Sequence, residues 1–315
     1  MSWFLIAIVS YFFLALVNLT DKFLIDNVLR SSKTYAFLVC LLGSLVFLIS
    51  PWFLTYPGTY LLLINLFTGL LFAAALYFLY EALRRGEAAK TVILIGGLIP
   101  IFSAIISVVF LHEVFSYLQL LGFLFLLLGI FLIAFLPSKQ SFWEKLWSSL
   151  RSEEYKRRSI RLILLAAFFY ALFFAFSKYA YGVQEFWSAF IWVRLGALLS
   201  VLLFLLEPKS RREIISNLKG DDNKKRKNKN IFLFLFNQGL GSLSFVLQNY
   251  AIFLGPVAII TALQGVQYAI MLFFSFFLGL FLKEFKEKFL WRTLIQKIIA
   301  LIFISVGLYL ISLYV

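Results

Sequence analysis

Apolar and polar positions alternate along this chain in long blocks rather than with the short periods of surface helices or strands. A helix needs about 20 mostly apolar residues to cross a hydrocarbon core about 30 Å thick. Ten runs meet that requirement: 3–25, 34–54, 59–83, 91–111, 117–136, 161–181, 186–206, 231–254, 257–282 and 294–313. Helix breakers fall at or near the joins, among them Pro51, Pro57, Gly86, Pro137, Gly182 and Pro256. The pattern predicts an all-α membrane protein with ten transmembrane helices. Ser116 with Gln119, and Thr293 with Gln296, have capping-box spacing and are expected to open the fifth and tenth spans. Two connections are long and polar, 138–160 and 209–230. The second carries Lys224, Lys225, Arg226, Lys227 and Lys229 and reads as a mobile, charge-rich link. No basic segment precedes the first run and no small-residue cleavage site follows it, so it reads as a retained helix and not a leader.

Composition agrees with lipid as the solvent. Of 315 residues 63% are hydrophobic and 14% charged, and mean hydropathy is +0.95. A soluble domain is about half apolar and a quarter charged. The net charge of +14 would point to nucleic acid in a soluble protein. Here the cations sit between apolar runs and are expected to face lipid headgroups, so nucleic acid is not an expected partner. With one cysteine, Cys40, and one histidine, His112, the chain lacks the parts of a zinc site or a Cys–His nucleophile. It also has no G-x-x-x-x-G-K-[ST] loop to hydrolyse ATP. No cofactor, metal ligand or catalytic residue is expected.

Charge orders the runs. All but two of the 29 Lys and Arg lie in or beside the odd-numbered connections; Lys178 and Arg194 are the exceptions. The positive-inside rule then puts the odd connections in the cytoplasm of a cell (inner or plasma) membrane and both termini outside. The halves also repeat. YFFLALVNLTDKF at 11–23 aligns with AFFYALFFAFSKY at 167–179, pairing Lys22 with Lys178. Ala82, Gly86 and Ala89 pair with Ala251, Gly255 and Ala258, and Glu113 with Glu284. Five spans per half is an odd number, so the second half is expected upside down. The units read as 1–137, a connecting loop 138–160, and 161–315. Inverted repeats are a recurrent plan of secondary transporters.

The series Ala82–Leu83, Ala88–Ala89, Pro100, Glu113, Ser116, Gln119, Gly122 and Gly129 resembles the fourth-and-fifth-helix pattern of the EamA-like proteins of the drug/metabolite transporter superfamily. Arg194, in IWVRLGALL, resembles an arginine often found in that family's seventh span. The second half departs from the pattern. The Pro100 position falls near Tyr268–Ala269, and Leu41 stands where Arg194 would repeat. The resemblance implies a secondary transporter for a small organic solute, working by alternating access as a monomer or homodimer. It also implies that the eighth and ninth spans line the cavity. The alternatives are a lipid or lipid-linked-sugar flippase of the same fold, and a membrane-embedded enzyme or assembly factor.

Polar residues inside the spans are the candidate contacts, because ionisable and polar groups are costly in lipid. Arg194 reads either as a counter-charge for an anionic solute or as a structural cation. Gln264, Gln267 and Tyr268 share one face by spacing, and Gln248 and Asn249 close the eighth span. Asn18 and Asn65 complete the set. Lys22 and Lys178 are expected to snorkel to the interface, with a gating role as the other reading. Glu113 and Glu284 read as helix caps, and Glu81 as a local ion-pair partner of Arg84 and Arg85. None of the 15 acidic residues sits deep in a span.

Overall fold

A computed structural model describes residues 2–27, 31–85, 88–134, 154–219, 224–281 and 291–313. Every regular element among them is helical. In order these are α1 (Ser2–Asn27), α2 (Ser32–Gly43), α3 (Ser50–Phe53), α4 (Thr59–Arg85), α5 (Ala88–Phe110) and α6 (Tyr117–Ala134). They continue as α7 (Glu154–Val183), α8 (Phe186–Leu202), α9 (Pro208–Lys219), α10 (Lys224–Leu254), α11 (Val257–Ala262), α12 (Gln264–Phe281) and α13 (Trp291–Ser312). Among the described residues seven helical stretches are long and apolar enough to cross a membrane: Ser32–Phe53, Thr59–Arg84, Thr91–Phe110, Ile160–Val183, Phe186–Leu205, Val257–Phe274 and Ile295–Ser312. Trp3–Asn18 and Tyr117–Ile133 are shorter apolar helices. The outer surface is correspondingly apolar, with Leu48, Trp52, Phe110 and Leu206 each more than 70% exposed. The protein is an integral multi-pass membrane protein.

Two spans are interrupted. The stretch Ser32–Phe53 leaves α geometry after Gly43 and runs as a 3-10 helix from Ser44 to Ile49 before α3. Ser44 Oγ donates to the Leu41 carbonyl at this switch. The stretch Val257–Phe274 breaks at Leu263, between α11 and α12. There the Thr261 hydroxyl bonds back to the carbonyls of Val257 and Ala258, a bond that bends helices.

Within the connection 209–230, residues 209–219 belong to α9 and 224–230 open α10, while 220–223 lie outside the described residues. Lys, Arg, Glu and Leu are good helix formers, and α9 has a docking side: Ser210 and Ile214 are buried. Lys33 Nζ donates to Glu207 at 2.8 Å, and that contact and Ser210 hold the Glu207 carboxyl below the usual carboxylate range. Within 138–160, residues 154–160 are the start of α7; the rest lie outside the described residues.

The halves interleave. α1 packs along α10, and α4 packs along α7 and α8. α6 packs along α13. Small residues permit these crossings, as expected where helix association in lipid depends on close van der Waals fit. A Cβ at Gly122 would lie 2.9 Å from the Gly307 carbonyl oxygen, and one at Gly307 would lie 2.8 Å from that of Gly122. At the α1–α10 crossing, Ser10 and Ser244 each donate a hydroxyl to the other's carbonyl at 2.8 Å.

Candidate functional site

Between the halves lies a cavity of about 270 Å³. Its inner end is Arg194 on α8, facing Gly43, Phe72 and Phe245. From there it runs toward the end of the bundle where α1 and α4 finish and α5 and α10 begin, reaching Asn18, Tyr80, Leu83, Val92 and Gln238. That end bears the basic residues Lys33 and Arg84. Arg194 is the one charged residue on the wall among the described residues.

The setting of Arg194 is built by several elements. Its guanidinium carbon sits over the rings of Phe245, Phe72 and Phe190, at 4.0, 4.9 and 5.2 Å from their centroids. Aromatic faces attract a cation electrostatically, but they supply no carboxylate. Among the described residues no ion pair includes Arg194, and its buried Nε has no hydrogen-bond partner. Gly43 gives the cation room, since a Cβ there would lie 2.9 Å from Nη1. Gly96 does the same for the opposite wall, where a Cβ would meet the Tyr268 hydroxyl at 1.8 Å. Pro100 carries no N–H to donate to the Gly96 carbonyl one turn back.

Of the candidate contacts, Arg194, Gln264, Gln248 and Asn18 line the cavity. Gln248 Nε2 donates to the Tyr11 hydroxyl, which donates to the Ile260 carbonyl. The other four do not line it. Gln267 is buried against Met271, and Tyr268 donates to the Val92 carbonyl at 3.0 Å. Asn249 accepts from Tyr181 and donates to the Phe245 carbonyl. Asn65 donates to Gln184 at 3.0 Å. Spacing predicts a shared face for Gln264, Gln267 and Tyr268, but the neighbours decide which part of that face meets the cavity. Sequence reasoning missed Gly43, Phe72, Phe245 and Gln238. Gln238, a polar residue inside an apolar run, was the detectable one.

The end opposite Lys33 and Arg84 is packed shut. Phe186 stacks against Phe190, with Tyr181, Tyr250 and Phe253 around it. Thr55 joins the start of α8 through Ser188, and Trp192 Nε1 donates to the Thr55 carbonyl. Lys178 does not snorkel. Its Nζ donates to the carbonyls of Ile252, Phe253 and Gly255 at 2.9, 3.1 and 2.9 Å. Those are end-of-helix acceptors of α10, where a cation is also favoured by the helix dipole. On the other side of the same break, Glu113 Oε1 accepts from Val257 N at 3.1 Å, the first residue of α11. Glu113 is thus a helix cap, but for α11 and not for its neighbour α6. His112, at φ 52, turns the chain so that Glu113 reaches across. Burial pushes the Glu113 carboxyl up from its ordinary value, while the Val257 N–H and the Lys178 charge act against that rise. Trp3 packs on Gly255, where a Cβ would fall 2.6 Å from the indole. The side chain of Lys22, and Glu284, lie outside the described residues.

Ser116 and Gln119 form the expected capping box, each side chain accepting the other's backbone N–H. Gln296 donates to the Leu132 carbonyl across the α6–α13 seam; the side chain of Thr293, its expected capping partner, lies outside the described residues. Glu81 accepts from Ser32 and lies 3.5 Å from Arg84.

No curated protein matches the sequence at a significant level. A crystal structure of another protein superposes with a TM-score of 0.63 over 99% of this chain and 96% of that one, at 15% identity, so the fold is shared. The model of the EamA-like transporter family matches residues 1–135. Over those residues, somewhat less than half of the chain, it is similar to the EamA-like transporter family, which belongs to the drug/metabolite transporter superfamily.

Proposed function

We propose that the protein is a secondary transporter that moves a small organic solute by alternating access. The observation that carries this reading is the cavity: it ends at a buried arginine, extends toward the basic end, and is sealed at the opposite end. In this reading ten spans form two inverted five-helix units, 1–137 and 161–315, joined by 138–160. The interleaving supports it, because the first span of each half packs on the third span of the other. The spans interrupted at Gly43 and Leu263 adjoin the cavity, and transporter sites are typically built at broken helices near the midplane. The charge sorting supports cytoplasmic basic connections and outward termini, so the resting form faces the cytoplasm. Arg194, Gln248, Gln264 and Asn18 are the polar contacts to the solute. Asn65, Asn249, Gln267 and Tyr268 hold the helices that surround it.

The Lys178–Glu113 clasp keeps the outer end closed, and opening must release it. A charge-assisted hydrogen bond is worth about 1.5–3 kcal/mol, so losing one shifts the closed-to-open ratio by roughly 10- to 100-fold. One experiment with two arms tests the scheme. In proteoliposomes, the purified chain should drive uptake or efflux of at least one solute from a panel of amino acids, carboxylates, nucleotides and drugs. In cells, a cysteine placed at the buried Ala180 in a Cys40→Ser background should react with a membrane-impermeant maleimide at least tenfold faster when Glu113→Gln is added. Absence of flux with every solute, together with labelling that Glu113→Gln leaves unchanged, rejects the transporter reading.

A further inference from the structure

We infer that the cavity binds organic monoanions: solutes with one carboxylate-like group on an apolar body. This rests on the transport reading for its purpose but not for its chemistry. Arg194 is 6% exposed and lies at the inner end of the cavity. A buried guanidinium normally takes a carboxylate partner, because its five N–H donors need acceptors as well as a balancing charge. Here three aromatic rings meet the charge, yet rings accept N–H bonds weakly, and Nε is left with no acceptor. The wall adds no competing anion. Its polar groups are neutral amides and hydroxyls, such as Asn18, Gln248 and Ser242. No described residue supplies that acceptor, and we assign it to the bound solute.

Three features narrow the class. One cation, with no second basic residue on the wall among the described residues, matches one negative charge. The guanidinium fork fits a planar two-oxygen acceptor in bidentate geometry. Much of the remaining wall is aliphatic or aromatic, with Leu14, Leu76, Ile95, Ile99, Phe174 and Met271, so the rest of the solute is apolar. A cationic solute would be repelled by Arg194, and a neutral apolar one would leave Nε unmet.

The test is a matched ligand series on the purified full chain, read by equilibrium dialysis. The probes are 3-phenylpropionate, its amide, the corresponding 3-phenylpropylamine, and acetate. The carboxylate is expected to bind at least tenfold more tightly than the amide or amine, which share its body, and than acetate, which shares its charge. Arg194→Gln is expected to erase the preference for carboxylate over amide. Equal or tighter binding of the amide or amine to the wild-type chain overturns the inference, as does binding of none of the four probes. Acetate binding as tightly as 3-phenylpropionate overturns the apolar-body assignment. The wild-type series decides the matter even if the variant fails to accumulate. Flux of neutral or cationic solutes without carboxylate preference rejects the monoanion class and leaves transport standing. Carboxylate binding with no flux of any solute, together with labelling that Glu113→Gln leaves unchanged, rejects transport and leaves the site.

Discussion

Arg194→Gln is expected to cut solute uptake by roughly two orders of magnitude while leaving the unliganded protein at least as stable as wild type. The two halves of that expectation share one cause. Placing an arginine at the centre of a membrane helix costs about 2.5–3.5 kcal/mol by insertion measurements. The return is about 0.5–2 kcal/mol from cation–π contact, shared here among Phe245, Phe72 and Phe190. With no carboxylate partner and an unmet Nε, Arg194 does not hold the apo fold together. A glutamine removes the burial cost and keeps some polarity. Its thermal unfolding midpoint in detergent should match or exceed that of the wild type. With solute present the sign reverses. Losing one member of a buried charge pair costs about 2–5 kcal/mol, about 30- to 4000-fold in affinity. Arg194→Lys should fall between the two, because an ammonium keeps the charge and loses the fork. A Gln variant that fails to accumulate in the membrane would make Arg194 a structural cation instead.

The second large effect is steric. A Cβ on Gly69 would stand 2.2 Å from the Val193 carbonyl oxygen and 2.3 Å from Ala197 N. One on Gly196 would stand 2.4 Å from the Leu66 carbonyl oxygen. Each meets backbone, which cannot rotate away as a side chain can. Ordinary carbon–oxygen contacts at helix interfaces are about 3.3–3.6 Å, so α4 and α8 would have to part by roughly an ångström. Overpacking of a tight interior costs about 1–3 kcal/mol and at times more. Gly196→Ala is expected at the upper end of that range, and Gly196→Leu should prevent accumulation of folded protein. Gly182 and Gly239 are the controls, since nothing lies within 4 Å of a Cβ at either. Fluorescence-detected size exclusion of Gly196→Ala, Gly196→Leu, Gly182→Leu and Gly239→Leu would check this, and equal profiles for Gly196→Leu and Gly239→Leu would refute it. The position matters functionally too, because Gly196 lies two residues from Arg194 on the same helix.

These two cases also divide what sequence could and could not reveal. Span positions follow from hydropathy, because the requirement they meet is a length of apolar chain. Arg194 stood out for the same reason, as a charge where lipid forbids one. Which amides reach the cavity depends on helix rotation, and that is set by neighbours. Asn18 and Gln264 face the cavity, while Asn65 pairs with Gln184 and Asn249 with Tyr181. Gly69 and Gly196 were invisible as contacts, since a glycine in an apolar run does not announce which backbone will lie against it. Glu113 was legible as a cap but not as the cap of α11, because the break it serves lies 144 positions away. Lys178 misled for a related reason. Its distance along the span matched a snorkelling lysine, but the free carbonyls at the end of α10 lie within hydrogen-bond reach of Nζ.

The tightly wound stretch from Ser44 to Ile49 has a mechanical consequence. A 3-10 helix rises about 2.0 Å per residue against about 1.5 Å in an α-helix. Those six residues are therefore about 3 Å longer than the same residues rewound as α. One end of the stretch is Gly43, against the guanidinium of Arg194; beyond the other lies Thr55, fastened to α8 through Ser188. Rewinding all six residues would shorten the stretch by about 3 Å in total, roughly 0.5 Å for each residue whose N–H passes from one carbonyl to the next, and would draw the floor under the solute toward the sealed end.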